Sequence, residues 1–352
     1  MSAEEGRDVY PPCIFTIFCM RMRMRMSLAP LLLIVLGTGA YAQPAPDVGQ
    51  LQVGLAAAAD FSPVYPNTVF RSPIAELSAS FRLADGDSFE RLTVRWIAVD
   101  VGDAAPPNFE IIASELELKG MKSGRFRYEQ RQPMPEGRYR IEVAADAEPW
   151  QSAEFEIAPA SGASSASKVD LVPLATGQEW IYRFEQRAGQ GASIDLPGVA
   201  ADADGVYRAT ATLTVAGSDA DGARIITRRN DDPVFEEWWR LDHAGLWATR
   251  QKQGAENDLL DPPQRLLAAP GADRKWTYPP FEQSFQMWGP LPMSGAWGRA
   301  DGYVVLLRQP AESPVATAER HFVPGIGMVR EIIIQAIAGR LISRQEMELL
   351  PP

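Results

Sequence analysis

The chain has 352 residues, of which 46% are hydrophobic and 22% charged, a composition typical of globular domains with sizeable cores. Its length predicts two domains. Lys and Arg number 34 against 45 Asp and Glu, and the formal net charge of −11 argues against nucleic acid or an anionic membrane surface as a partner, because both select basic patches.

Residues 20–42 have the layout of a secretory signal peptide. Three arginines lie between residues 21 and 25, an apolar stretch covers 28–36, and small residues lead to Ala42. This pattern predicts cleavage after Ala42 and a periplasmic or secreted location. The apolar stretch is shorter than the roughly 20 residues that span a bilayer, so we expect no transmembrane segment in the mature chain. A permanent N-terminal anchor is the alternative.

Residues 1–19 fall outside this layout and carry both cysteines, Cys13 and Cys19. We interpret them as the product of a start codon placed too early. Three methionines are candidates for the true start: Met20, Met22 and Met24. The mature chain then begins near Gln43 without cysteine, which excludes disulfides and thiol catalysis.

The mature chain divides by composition. Residues 43–60 are rich in Ala, Gly and Pro and predict a loose lead-in. Residues 61–158 predict an antiparallel β-sandwich, because short alternations of apolar and polar residues, such as residues 79–83, are separated by Gly, Pro and Asp turns. A Ser/Ala/Gly stretch at 159–169 predicts a flexible linker.

Three landmarks in the first domain form a known pattern. Trp96 falls in a central strand, Pro135-Glu136-Gly137-Arg138-Tyr139 turns into a later strand, and Phe155-Glu156-Ile157 closes the domain. Together they resemble an immunoglobulin-like module that is frequent in exported bacterial proteins, over most of this domain. The resemblance implies an architecture that presents or spaces something else, and no chemistry.

Residues 170–352 predict a larger antiparallel β domain, a curved sheet or partial barrel, so the fold class is all-β. Residues 207–215 alternate apolar and polar side chains, and hairpin turns are expected at 242–245 and at Ala338-Gly339. The segment 259–267, interrupted by two prolines, is where we expect one short helix.

A short motif recurs within this domain. Trp180-Ile181-Tyr182 is echoed by Trp276-Thr277-Tyr278, and a glycine-containing hairpin follows each copy. Duplication into two half-domains would explain the echo, and so would chance.

Further landmarks of the second domain are Pro173-Leu174-Ala175-Thr176-Gly177-Gln178-Glu179-Trp180-Ile181-Tyr182, Gly245-Leu246-Trp247, Leu267-Ala268-Ala269-Pro270 before Trp276, and Phe322-Val323-Pro324-Gly325-Ile326-Gly327-Met328-Val329. They resemble a widespread domain of exported bacterial proteins and lipoproteins, with Phe322 where that family has Tyr. The resemblance implies a fold and no activity. Its members often carry a lipid anchor, but no cysteine follows Ala42 here.

The sequence contains no convincing catalytic or metal-binding motif. It lacks a Gly-x-Ser-x-Gly elbow, and His243 and His321 are interpreted as structural, although an Asp- or Glu-completed zinc site is an alternative. The Asp-x-Asp-Gly segments at 202–205 and 219–222 predict hairpin turns, since neither has a carboxylate at the twelfth position of a calcium loop. We therefore expect no catalytic residue, no metal and no cofactor.

Large apolar side chains cluster at 281–298 between glycines and prolines, which suggests a loop that presents a binding surface. The candidate binding residues there are Phe281, Phe285, Met287, Trp288, Met293 and Trp297. Trp238 is a second candidate anchor, because neighbours on a strand face opposite sides and either Trp238 or Trp239 should reach the solvent side. Packing of these side chains into the core is the alternative.

These observations predict a non-enzymatic envelope protein that binds or scaffolds through its C-terminal β domain. The expected partner is an envelope protein, a lipid or a glycan. One alternative is an envelope hydrolase that uses Asp or Glu, which converging carboxylates would favour. Another is a lipid or lipoprotein carrier with a half-barrel, which a curved sheet around an apolar cavity would favour.

Overall fold

The computed structural model describes residues 51–84, 86–160, 171–189, 191–194, 196, 199–253, 256–271, 274–309 and 314–351. The signal peptide, the predicted cleavage site at Ala42 and most of the expected linker lie outside the described residues. Within them, no helix is long and apolar enough to cross a membrane.

The described residues between 51 and 158 form ten strands and one short 3₁₀ turn. The strands are β1 (Leu51–Gly54), β2 (Ala56–Ala57), β3 (Pro63–Val64), β4 (Val69–Arg71), β5 (Glu76–Arg82), β6 (Arg91–Asp100), β7 (Phe109–Glu117), β8 (Ser123–Glu129), β9 (Gly137–Ala145) and β10 (Glu148–Ala158), and the 3₁₀ turn is Gly102–Ala104. One sheet has the order β1-β5-β8, a second has the order β4-β10-β9-β6-β7, and β2 pairs with β3. Strand β4 runs parallel to β10, and the other pairings are antiparallel.

The two larger sheets meet through aromatic side chains. Trp96 on β6 stacks on Tyr128 on β8 with ring centroids 5.3 Å apart, and its ring lies 6.3 Å from that of Phe155. The buried Tyr139 at the start of β9 donates its hydroxyl to the Pro135 carbonyl oxygen at 2.6 Å. The alternating residues thus form a β-sandwich core, while the immunoglobulin-like assignment stays a prediction.

Twelve further strands follow in the described part of the chain. They are β11 (Glu179–Ala188), β12 (Val206–Asp219), β13 (Gly222–Arg229), β14 (Asp232–Asp242), β15 (Gly245–Gln253), β16 (Glu256–Ala268), β17 (Lys275–Tyr278), β18 (Gln283–Gly295), β19 (Gly298–Arg308), β20 (Val315–Val323), β21 (Gly327–Ile337) and β22 (Arg340–Leu349). All belong to one antiparallel sheet that curls into a nearly closed barrel, with a 3₁₀ turn at Pro279–Phe281 before β18. The predicted all-β fold class is confirmed.

The barrel consists of two meanders of six strands. The sheet order runs from β16 back to β11, crosses to β22, and then runs back to β17. Each meander therefore begins with one copy of the repeated motif, Trp180-Ile181-Tyr182 on β11 and Trp276-Thr277-Tyr278 on β17. Backbone pairing of β11 with β22 joins the two meanders.

The outermost strands of the sheet, β16 and β17, come together at a seam that side chains bridge. The Gln264 amide donates to the Gln283 amide oxygen at 2.6 Å, and the Trp276 indole donates to the Arg265 carbonyl oxygen at 3.1 Å. The seam between β16 and β17 is thus closed by side-chain hydrogen bonds, whereas β11 and β22 are joined by a backbone ladder.

The hairpins are as the turn residues predict, but the expected helix is wrong. Asp242 pairs with Gly245, and Ala338 and Gly339 both have positive φ, as a two-residue hairpin turn requires. The segment 259–267 belongs to β16 instead of a helix. Its prolines are tolerated because β16 pairs with β15 along one side only, and because the register of that ladder shifts between Leu259 and Gln264, where the two prolines lie.

The expected loose lead-in is ordered where the structure describes it. Leu51–Gly54 pairs with β5, and Leu55 is fully buried. Small residues suit this segment because a Cβ on Gly54 would lie 2.6 Å from the Val64 carbonyl oxygen. The division of the whole chain into domains stays a prediction.

Candidate functional site

The segment 59–65, called the N-terminal segment below, packs on the outer face of barrel strand β20. The Ala59 amide donates to the Thr317 hydroxyl at 3.2 Å, and the Tyr65 amide donates to the Glu319 carboxylate at 3.0 Å. Glu319 also lies 2.7 Å from the ring of His321, whose centroid is 6.0 Å from that of Tyr65. His321 is therefore a buried interface residue with a structural set of contacts.

A second link joins the sandwich to β17 and β18. Glu76 on β5 accepts from Arg127 at 2.8 Å, and it contacts Lys275 at 3.4 Å and the Gln286 amide at 3.3 Å. Burial acts to raise the pKa of Glu76, but the hydrogen bond and charge of Arg127 outweigh it and hold that pKa below the usual value. The outer surface of this side of the barrel is thus covered.

The segment 281–298 is a strand with a bulge, and the expected loop is wrong. Most of it is β18, which pairs with β19. The register shifts between Trp288 and Leu291, where Gly289-Pro290 interrupts the ladder. The glycines and prolines that suggest a loop therefore serve a bulge within a strand.

Two of the candidate binding residues face the barrel interior. Met287 pairs with Val305, which pairs with Arg320, a residue that lines an interior cavity. Phe285 lies two residues before Met287 and so shares this face, where its ring stacks on Trp276 at 5.3 Å. Both candidate side chains are buried.

The other candidates in this segment lie elsewhere. Trp288 pairs with Val304, which pairs with His321, so Trp288 is on the outer face that the N-terminal segment covers. Met293 is buried as well, next to Pro292, whose carbonyl oxygen accepts from Tyr65 at 2.5 Å. Phe281 and Trp297 are half-buried. The structure does not bring the six side chains together on one exposed surface.

Trp238 is covered, and its expected exposure is wrong. Its side chain is on the outer face but is only 6% exposed, because Arg224 and Arg250 lie over the ring at 5.8 and 5.3 Å. Its indole N–H donates to Asp219 at 2.8 Å. Trp239 faces the interior.

Inside the barrel lies a cavity lined by residues of β12, β13, β14, β16, β20, β21 and β22. The centre of a water molecule fits in about 40 Å³ of this cavity. The apolar lining includes Leu213, Ile225, Trp239, Phe322, Ile333 and Met347. The cavity is therefore narrow and mostly apolar.

Three charged side chains face this cavity. Arg320 donates to Glu331 at 2.7 Å, and Glu331 is 3% exposed. Glu237 accepts from the Trp239 indole and from the Gln251 amide, the latter at 3.1 Å. Burial raises the pKa of Glu237, the nearby Arg320 opposes the rise, and the charge of Glu331 adds to it.

Sequence reasoning missed this charged group because its members come from three strands. Arg320 and Glu331 are opposite each other only through the register of β20 and β21. One signal was available: alternation places Arg320 on the face of β20 that carries Ala318 and Phe322, and Glu331 on the face of β21 that carries Val329 and Ile333.

The two Asp-x-Asp-Gly segments are turns, as predicted. Asp202 accepts from the Asp204 amide at 2.9 Å, and Asp219 accepts from the Asp221 amide at 2.8 Å. In the described part of the chain, no group of three or more His, Cys, Asp or Glu side chains is placed to hold a metal ion.

No protein-family model and no curated protein matches the sequence. Two solved structures show a likeness to about half of the chain. One is a candidate lipoprotein from Parabacteroides distasonis, 14% identical with a TM-score of 0.25, over 51% of this chain and 98% of that chain. The other is a candidate exported protein with a YmcC-like fold from Bacteroides fragilis, 11% identical with a TM-score of 0.24, over 51% of this chain and 97% of that chain. At these scores neither likeness carries an argument about this chain.

Proposed function

We propose that this chain is an exported binding protein whose C-terminal barrel holds a small apolar or amphiphilic molecule. The interior cavity carries the proposal, because a mostly apolar, concave site with a few convergent polar groups is the usual form of a ligand site. The partner is then a lipid-like molecule, chosen from the lipid, glycan and protein partners that the sequence left open. This agrees with a carrier more than with a surface scaffold.

Export is supported by the sequence alone. The arginines, apolar stretch and small residues that end at Ala42 fit a cleaved signal, and this location stays part of the proposal.

The sandwich would act as a cover for the barrel. An immunoglobulin-like assignment is supported by the parallel pairing of β4 with β10, by Trp96 in the core and by the hydroxyl bond of Tyr139. A spacer role is less well supported, because Tyr65 and Glu76 bond directly to the barrel.

A hydrolase is the second candidate. Glu237, with its raised pKa, and the ion-paired Glu331 are two carboxylates in different environments, as an acid and a base in one site would be. Deep burial of both places this candidate second, since a polymeric substrate could not reach them.

Uptake of a neutral fluorescent probe tests the binding proposal. The expressed full-length protein, purified and delipidated, should bind N-phenyl-1-naphthylamine. Ala318→Trp, which fills the cavity, should abolish uptake, whereas Ala296→Trp on an exposed turn should leave it unchanged. Ile333→Phe is a milder filling change if Ala318→Trp does not fold. Equal uptake by wild type and both filling variants would refute an interior site.

A hydrolase assay separates the two candidates. Turnover of a chromogenic glycoside or ester that Glu331→Gln removes would favour the hydrolase. We expect no such turnover.

A further inference from the structure

Two buried glutamines inside the barrel have no hydrogen-bond partner. Gln186 on β11 is 0% exposed and Gln345 on β22 is 1% exposed, and the two residues are paired across the strands. Neither the amide nitrogen nor the amide oxygen of either side chain is bonded. Because such buried groups lower stability, four unsatisfied atoms at one place require an explanation.

Their position is next to the cavity. Gln345 pairs with Ile333 and precedes Met347 by two residues, and both of those side chains line the cavity. Gln186 shares the inner face with Phe184, which pairs with Met347. The glutamines therefore form a polar end to an apolar space.

A contrast with the seam shows that buried glutamines in this barrel can find partners. Gln264 and Gln283 are both 0% exposed, and the Gln264 amide nitrogen donates to the Gln283 amide oxygen at 2.6 Å, which leaves one unbonded atom on each amide. Gln186 and Gln345 are equally buried and directly opposite each other, yet they do not bond. Their geometry leaves both amides available to a third group.

The chemistry of that group follows from the atoms offered. Two amides present four N–H donors and two carbonyl acceptors, so the complementary head group is richer in acceptors than in donors. An acceptor-rich head group, such as a carboxylate, thus suits the glutamine end.

We propose that the barrel binds a single-chain fatty acid, its carboxyl group on Gln186 and Gln345 and its hydrocarbon chain in the cavity. This inference rests on the proposed binding function. The carboxyl oxygens accept the amide hydrogens, and the hydrocarbon chain contacts the apolar lining of the narrow cavity.

Binding of cis-parinaric acid, compared with its methyl ester, tests the assignment by fluorescence titration. The wild-type protein should prefer the acid by at least about tenfold, because the ester loses charge-assisted hydrogen bonds. In the double variant Gln186→Leu/Gln345→Leu the preference should fall to about threefold or less while the ester still binds. Gln178→Leu, in the turn before β11, is the matched control and should keep the full preference.

A second variant guards against a misfolded double mutant. Gln345→Glu places a negative charge at the same point and should weaken acid binding while sparing the ester. Equal binding of acid and ester by wild type overturns the fatty-acid assignment and leaves the binding function standing. Unchanged acid preference in the leucine variant also overturns it, because the carboxyl group must then bind somewhere other than on the glutamines. If wild type takes up neither compound nor the neutral naphthylamine, both proposals fail.

Discussion

The two interiors of this molecule are built differently. In the sandwich, Trp96, Tyr128 and Phe155 pack ring against ring, and the Tyr139 hydroxyl reaches a carbonyl oxygen. In the barrel, apolar side chains share the interior with an ion pair, with Glu237 and with partnerless amides. Stability alone favours the first arrangement, since buried polar groups add little and are destabilising when unpaired. The difference agrees with the proposal that the barrel interior binds a ligand.

A substitution in the sandwich core should cause the largest loss of stability. We expect Trp96→Ala to lower the free energy of unfolding by about 4 kcal/mol, because it leaves a cavity beside Tyr128 and Phe155. Urea unfolding followed by circular dichroism measures this change. Trp247→Ala, at a half-buried ring, is the control, and an equal loss there would contradict the prediction.

The ion pair of the barrel comes next. Arg320→Met should lower stability by about 3 kcal/mol, because it leaves Glu331 buried without its counter-ion. Replacing both partners, as in Arg320→Met/Glu331→Met, should recover most of that loss. Urea unfolding of the two single variants and the double variant gives the coupling energy, and simple additivity would argue against a buried pair.

Removing the unpartnered amide of Gln345 should increase stability. Gln345→Leu removes two unsatisfied polar atoms from the barrel interior and should raise the free energy of unfolding of the ligand-free protein by about 1 kcal/mol. Thermal unfolding of delipidated protein measures it, with Gln178→Leu as the neutral control. A destabilised Gln345→Leu would mean that the amide has a bound partner in solution.

The smallest effect is a pH dependence of opposite sign on the two faces of the barrel. The raised pKa of Glu237 means that its folded form keeps a proton that the unfolded chain loses above the ordinary value of 4.5, so its effect on stability becomes unfavourable as pH rises. The stability of Glu237→Gln relative to wild type should therefore increase as pH rises above that value. For Glu346, burial acts upward, but Arg330 and Arg344 lower the pKa, so its stabilisation is present above 4.5 and is lost as pH falls through the lowered pKa.

Unfolding measured from about pH 2 to 8 checks both signs, because this range extends below the lowered pKa of Glu346. Glu346→Gln should be less stable than wild type near neutrality, with the difference closing in acid. Parallel pH profiles for Glu237→Gln and Glu346→Gln would remove the contrast between the faces.

The strands were predictable because period-two alternation and turn residues are local signals. Ala338-Gly339 specifies its hairpin within two residues. The strand at 259–267 was not predictable from its prolines, because tolerance there depends on β16 lying at the outer end of the sheet order. That position is set by pairings far along the chain.

The candidate site was less predictable than the fold. Large apolar residues at 281–298 were found, but which of them face inward depends on the bulge after Trp288 and on what covers the outer face. Gln186 and Gln345 look like ordinary strand residues in the sequence. Only the pairing of β11 with β22, across more than 150 residues, places them side by side.

The pairing of β11 with β22 also determines the order in which the barrel strands can assemble during synthesis. A ribosome makes β11 well before β22, so the first six strands leave it before their partner across the joint exists. The contacts of Ala59 and Tyr65 wait as well, since Thr317 and Glu319 are more than 250 residues later. The segment that comes first in the described chain thus reaches its final place among the last. Under the proposed export in an extended form, the barrel would stay open until nearly all of the chain has crossed the membrane.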